Sequence, residues 1–212
     1  SNFKIGGITC PYEPREYNIG YLGEGKYKKS KNGKMTKCYS TWHNMLMRCY
    51  DKDFQEKNPT YKGCRVCDEW LNFQNFAEWY YKNYYEIEGK IMNLDKDILI
   101  KGNKIYSPKT CIFVPNDINV LFVKKNKSRG KDPIGVHEHK RDNIYEVNCN
   151  NCDGKQIYLG VYSTKEKAFQ VYKQHKEKLI KEVIDSYEDK IPEPFYSRLR
   201  EAMYNYEVEI DD

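Results

Sequence analysis

The chain has 212 residues, of which 39% are hydrophobic and 15% aromatic, and its formal net charge is +5. That length and aromatic content suffice for one large domain or two small ones, and they exclude a disordered or fibrous chain. No apolar run approaches the roughly 18 residues of a membrane span, and the opening residues lack the layout of an export signal. A cytoplasmic protein with no membrane partner is expected, its eight cysteines reduced or metal-bound rather than in disulfides.

Residues 1–37 mix Gly, Pro, Tyr and Lys without a sustained period, which predicts a basic arm of extended or irregular structure that orders on a partner. From Tyr39 to Tyr50 the residues Trp42, Met45, Leu46 and Cys49 fall at helical spacing, with Ser40 or Thr41 placed to cap the start. A second helix is predicted from about Asn72 to Tyr84, with Phe73, Phe76, Ala77 and Tyr80 as its apolar stripe. Between the two lies a loop ending in Gly63-Cys64-Arg65-Val66-Cys67. Asn93–Leu99 reads as a strand, Lys101-Gly102-Asn103 as a turn and Cys111–Val114 as a second strand; Pro115 then opens a short helix through Asn119 to Phe122.

Seven of the eight residues from 124 to 131 are polar or charged, so residues 124–133 are the predicted linker between a domain at 38–123 and another at 134–212. In the latter, Ile134–Val136, Ile144–Cys149 and Gln156–Tyr162 read as three short strands, the last two joined across Asp153-Gly154. A long helix follows from Thr164 to about Tyr187, with Ser163 and Glu166 as a capping box and Ala168, Val171, Tyr172, His175, Leu179, Ile180 and Val183 as its buried stripe. Tyr196–Glu209 is expected to add a final helix and a short closing strand under an acidic tail.

Charge is distributed unevenly. Six lysines crowd Lys26 to Lys37, and Lys124, Lys125, Lys127, Arg129, Lys131, Lys140 and Arg141 crowd the middle, while acids gather after Asp185. Such asymmetry favours a polyanion, because each neutralised phosphate releases counterions; a solvated lysine-rich surface is the plainer account of any one cluster. Cys49, Cys64, Cys67 and Cys111 fall within one predicted domain and are the candidate ligands for a structural Zn²⁺, against the alternative of buried thiols packed as small hydrophobes. His137 and His139 stand two apart and share a strand face, a spacing that also occurs in metal sites, yet no third ligand is evident nearby.

The pieces from Trp42 to Tyr50, Gly63-Cys64-Arg65-Val66-Cys67-Asp68-Glu69-Trp70, and Leu94-Asp95-Lys96-Asp97-Ile98 through Cys111-Ile112-Phe113-Val114-Pro115 together resemble the phage and prophage HNH or homing endonucleases. The resemblance implies a ββα-metal core in which Asp95 and Asn119 hold one Mg²⁺ or Mn²⁺ for DNA phosphodiester hydrolysis. Lys96 stands where the family has its catalytic histidine, and an ammonium with an ordinary pKa near 10.4 is a poor base; Asp97, Tyr106 and His43 are the candidate substitutes. Alternating acids and a lysine are also what a half-exposed strand shows without any metal.

The segment from Gly135-Val136 through Lys140-Arg141, Tyr145, Leu159-Gly160, Tyr162 and Ala168-Phe169 resembles the APETALA or ethylene-response-factor type of DNA-binding domain, whose three-stranded sheet lies in the major groove. The expected fold class is therefore α+β: a divergent ββα-metal (HNH-like) core followed by a small three-stranded antiparallel sheet packed on one long helix. Lys124, Lys125, Lys127, Arg129, Lys140, Arg141, Lys155 and Tyr158 are the candidate contacts to double-stranded DNA. Three functions remain open at this point: a phage-type endonuclease in a host bacterial cytoplasm, a non-catalytic regulatory or architectural DNA-binding protein on the same modules, and a phage accessory protein whose basic arm and aromatic surface bind a host protein.

Overall fold

Buried side chains at Cys38, Tyr39, Trp42, Met45, Leu46 and Cys49 repeat every three or four residues. In the computed structural model, which describes residues 10–123 and 132–210, they form one face of helix α1 (Lys37–Tyr50). Its cap is Thr36, whose hydroxyl accepts from the Tyr39 amide, rather than Ser40 or Thr41. Those two lie inside the first turns, where Thr41 Oγ1 donates back to the Lys37 carbonyl at 2.9 Å. The protein is mixed α and β, and the described chain falls into two compact units. One runs to Tyr84 and takes in Gly102–Ile112; the other is made of Tyr85–Lys101 and the chain from Phe113 onwards.

In the first unit, α1 is followed by α2 (Lys52–Lys57) and α3 (Phe73–Asn83), the latter capped by the Asn72 side chain. Trp42, Trp70, Phe73 and Phe76 are fully buried, and Trp42 Nε1 donates to the Trp70 carbonyl at 2.7 Å, so the largest apolar surface in this core carries a satisfied polar handle. Residues 10–36, expected to order only on a partner, are ordered here. Tyr21 pairs by backbone with Leu71 and Phe73, and β1 (Ser30–Lys31) and β2 (Lys34–Met35) form a short hairpin. A two-residue parallel pairing joins β3 (Arg65–Val66) to a strand at Ile105–Tyr106.

In the second unit, β4 (Met92–Asp95) pairs with the strand Ile112–Pro115, after which Asn116–Val120 forms a short helix with Pro115 at its cap. In chain order Ile105–Tyr106 is β5, Ile112–Pro115 is β6 and Asn116–Val120 is α4. Tyr85 donates its hydroxyl to the Phe113 carbonyl at 2.8 Å and stacks on Phe195. Asp117 Oδ2 receives Lys90 Nζ at 2.8 Å and the Tyr187 hydroxyl. Burial works to raise the Asp117 pKa, but those two donors outweigh it and hold the carboxyl below its ordinary range.

The unit continues as an antiparallel sheet in the order β7 (Val136–His139), β8 (Ile144–Asn150), β9 (Gln156–Tyr162), followed by α5 (Lys165–Asp185) and α6 (Phe195–Tyr204). Thr164 rather than Ser163 caps α5, accepting from the Lys167 amide, because Thr164 is the last residue with extended backbone. The period of two sends Val147 and Cys149 inward, where they pack with Val136, Ala168, Phe169, Tyr172 and Val208. Ile134 and Tyr145 lie against the same cluster, so Tyr145 faces the helix. The expected closing strand in the tail is not formed; residues 206–209 run without regular structure and bury Val208. Most of the predicted linker, residues 124–131, lies outside the described residues.

Gly135 precedes β7 with φ +75°, and a Cβ there would stand 2.1 Å from Tyr172 Cδ2 and 2.8 Å from the Asn148 carbonyl oxygen. Gly135→Ala combines left-handed strain with overpacking, about 2–6 kcal/mol together. Gly154→Ala, at φ +75° with nothing within 4 Å, carries only the strain. Urea unfolding should show Gly135→Ala losing clearly more stability than Gly154→Ala; equal losses would mean that Tyr172 does not pack on this turn.

Candidate functional site

Asp95 ends β4 because its side chain does. Oδ1 accepts the amides of Asp97 at 2.8 Å and Ile98 at 2.7 Å, and this Asx turn bends the chain out of the strand expected to reach Leu99. The alternation persists through the bend, with Leu94, Lys96 and Ile98 buried and Asp97 exposed. Lys96 is buried, 6% exposed, and its Nζ lies 3.0 Å from Asp97 Oδ2 on the exposed side. Burial, and then the Asp97 charge, push the Asp95 carboxyl up to about 6, against the two amides and Lys96, which act to lower it. A carboxyl poised there exchanges its proton near neutral pH, a property more frequent at functional sites than in structural ion pairs.

Asn119 is half-buried on α4, in the same unit as Asp95 and Asp97. Beside it in sequence, Asn116 Oδ1 accepts from Asn93 Nδ2 at 3.1 Å, tying the start of α4 to β4. The two other candidate bases belong to the first unit. His43 lies 3.4 Å from Glu16 Oε2, with Tyr17 and Tyr39 against its ring, and Tyr39 donates to the other Glu16 oxygen. Tyr106 is 2% exposed opposite Val66, and burial raises its pKa well above the ordinary phenol value, so its proton is held more firmly than a general base allows.

None of the eight cysteines is disulfide-bonded. Cys49, Cys64 and Cys111 are buried in the first unit and Cys67 is partly so, with burial the main cause of its raised thiol pKa. Among the described residues, no three His, Cys, Asp or Glu side chains gather as a metal ion requires.

The open face of the three-stranded sheet is the other candidate site. With Val147 and Cys149 turned to the helix, the opposite side of β8 carries Glu146, Asn148 and Asn150. The register sets His137 and Val161 on either side of Glu146, and Tyr158 opposite Asn148. Glu146 is held by Asn148 Nδ2 at 2.6 Å and by His139 Nε2 at 3.0 Å, and these partners, Asn148 foremost, keep its pKa low. Tyr158 is 61% and Val161 49% exposed. Lys140 and Arg141 stand exposed on the turn before β8, and Lys155 on the turn before β9, where Asn151 Oδ1 accepts the amides of Asp153 and Lys155. The sheet thus brings Lys140, Arg141, Lys155 and Tyr158 onto one module; Lys124, Lys125, Lys127 and Arg129 lie outside the described residues.

Sequence reasoning missed Glu146, Asn148 and Val161. The signal was present: once the apolar Val147 and Cys149 are set inward, their neighbours on β8 must face out. It also missed Lys176, 8% exposed on α5 beside Cys149 and Cys152, whose pKa burial lowers.

Comparison with protein-family models, with curated proteins and with solved structures finds no match to this chain. No described helix is long and apolar enough to cross a membrane.

Because the folded state disfavours the Asp95 charge, this carboxyl opposes folding above its folded pKa, and the penalty is relieved as pH falls through about 6 towards the ordinary carboxylate range. Asp95→Asn keeps an oxygen for the two amides and removes the charge. At pH 8 the variant should unfold at equal or higher urea than the native chain, with the advantage shrinking as pH falls below 6; a marked loss at pH 8 would show that the ionised form is the structural one.

Proposed function

We propose that the chain is a DNA-binding protein that places the open face of its three-stranded sheet against duplex DNA. The observation that carries this is the sheet's division of labour: one face is consumed by α5, and the other is left solvent-facing with amide, imidazole, carboxylate and aromatic groups between two basic turns. A small sheet fits a major groove about 12 Å wide, where amide side chains pair with adenine, a carboxylate accepts from cytosine N4 and apolar groups meet the thymine methyl. Lys140 and Arg141 precede β8 and Lys155 follows it, and in this reading they take phosphates at the two ends of the strand. This is the arrangement that the resemblance to the ethylene-response-factor type of domain implies. It favours DNA over a host protein as partner, because the face lacks the large apolar core of a protein interface.

A second reading, that the chain also hydrolyses DNA as a phage-type HNH-like endonuclease, is favoured by the raised pKa of Asp95. In that reading Asp95, through the oxygen its amides leave unused, and Asn119 would hold a Mg²⁺ or Mn²⁺ that supplies positive charge to the scissile phosphate. Lys96 does not stand in for the family's histidine as a base, since its ammonium rests on Asp97.

Lys140→Gln with Arg141→Gln should weaken duplex binding on all sequences and reduce the slope of log affinity against log salt by about 1.8, roughly 0.9 per lost phosphate contact. Tyr158→Ala should reduce discrimination between sequences more than the salt slope. Fluorescence anisotropy on labelled duplexes across a salt series measures both, and a native chain that binds no duplex at low salt ends the proposal. Supercoiled plasmid incubated with Mg²⁺ or Mn²⁺ separates the two readings: nicking abolished by EDTA and by Asp95→Ala establishes the nuclease, whereas a retarded but intact plasmid leaves the binding protein alone.

A further inference from the structure

The stretch from Lys26 to Lys37 holds six lysines and no acidic residue. Two of them, Lys28 and Lys29, line a cleft of about 280 Å³ in the first unit, together with Gly23, Gly25, Tyr27 and Ser30 over a floor that includes Phe73 and Gln74. None of its lining residues is acidic. Lys28 and Lys29 are exposed and have no ion-pair partner among the described residues; Lys29 Nζ lies 5.9 Å from the centroid of the Tyr39 ring, a contact that leaves its charge unneutralised.

The cleft is formed in advance. Gln74, in the first turn of α3, accepts the Tyr27 amide at 3.0 Å and donates to the carbonyls of Tyr27 and Leu22 at 3.0 and 3.3 Å, so one side chain fixes both ends of the glycine loop. The loop lies so close to α3 that a Cβ on Gly23 would meet Asn72 Oδ1 at 2.2 Å and one on Gly25 would meet Gln74 Oε1 at 2.3 Å. The ring of Tyr27 stacks on Tyr81, itself 56% exposed, with centroids 5.1 Å apart. A rigid wall of that kind loses little entropy when a ligand arrives.

We propose that this cleft is a second nucleic-acid contact, taking the phosphodiester backbone of a DNA strand with Lys28, Lys29 and Ser30. The inference rests on the reading that the chain binds DNA, and adds to it a site in the other unit. The volume decides the scale: ligand pockets run from about 300 to 1,000 Å³, so the cleft admits about one sugar-phosphate unit and not a helix. Two ammonium groups and a hydroxyl around one such unit are a phosphate's partners, while a neutral ligand would leave both charges unanswered. Contacts of this type position a protein without reading sequence.

The test uses the full chain, a labelled duplex and a labelled single strand of mixed sequence, each titrated across a salt series. Lys28→Gln with Lys29→Gln should weaken binding alike on all sequences and lower the salt slope by about 1.8 on duplex or about 1.4 on single strand, and the arm that responds identifies which form of DNA occupies the cleft. Lys52→Gln with Lys57→Gln, exposed lysines of α2, serves as the control for net charge. An unchanged slope for Lys28→Gln with Lys29→Gln in both arms, or an equal loss in the control, overturns the cleft. If Lys140→Gln with Arg141→Gln still loses affinity in that case, DNA binding through the sheet stands and only the cleft falls. If the native chain binds neither oligonucleotide, both fall.

Discussion

The packing of Val136, Val147 and Cys149 against Ala168, Phe169 and Tyr172 is the constraint on which the second unit depends. Burial of each such side chain is worth about 1.5–3 kcal/mol, enough that a one-residue slip in β8, which would turn Val147 and Cys149 to solvent, is not tolerated. The same period of two that secures the core therefore fixes Glu146 and Asn148 on the opposite face. The candidate DNA surface is a by-product of the core, and its rigidity comes from there. Gly135 leaves room for the Tyr172 ring at the point where the strands meet the helix.

A different principle governs the end of β4. Asp95 spends one oxygen on two amides and so turns the chain, and Lys96 lies inward in step with Leu94 and Ile98 while Asp97 lies outward. The result is a carboxyl whose pKa burial and a neighbouring charge raise from the ordinary carboxylate range to about 6. Such an arrangement costs stability in the ionised form, and a purely structural Asx turn is served as well by asparagine. That imbalance, more than the spacing of Asp95 and Asn119, keeps a chemical role for this strand end in view.

Around these two features the chain is tied by hydrogen bonds from side chain to backbone as much as by apolar packing. Gln74 holds the glycine loop, Trp42 holds Trp70, Tyr85 holds Phe113, and Asp117 gathers Lys90 and Tyr187. A chain with 32% charged residues and many tyrosines buries polar tips along with apolar bodies, and each tip needs a partner. The loop that carries Lys28 and Lys29 is fixed by Gln74 at the Tyr27 backbone, and this gives the cleft its shape.

The sequence by itself determined the helices with strong periodicity, α1, α3 and α5, and the second and third strands of the sheet, because a buried stripe at 3.6 or two residues is a local property written in consecutive side chains; the first strand, expected at Ile134–Val136, begins only at Val136, because Ile134 and Gly135 form a turn. The sequence also marked the basic stretches and the acids Asp95 and Asp97. Tertiary structure alone decided what long-range partners decide. Residues 10–36 looked patternless because their order comes from Gln74, Leu71 and Phe73, far along the chain. The cap of α1 moved to Thr36 and the strand at Asn93 stopped at Asp95, since competing local bonds of similar strength are resolved by packing. Burial of Lys96 and of Tyr106, the division of the candidate bases between two units, and the outward face of Glu146 and Asn148 depend on which surfaces meet, and no window of sequence contains that choice.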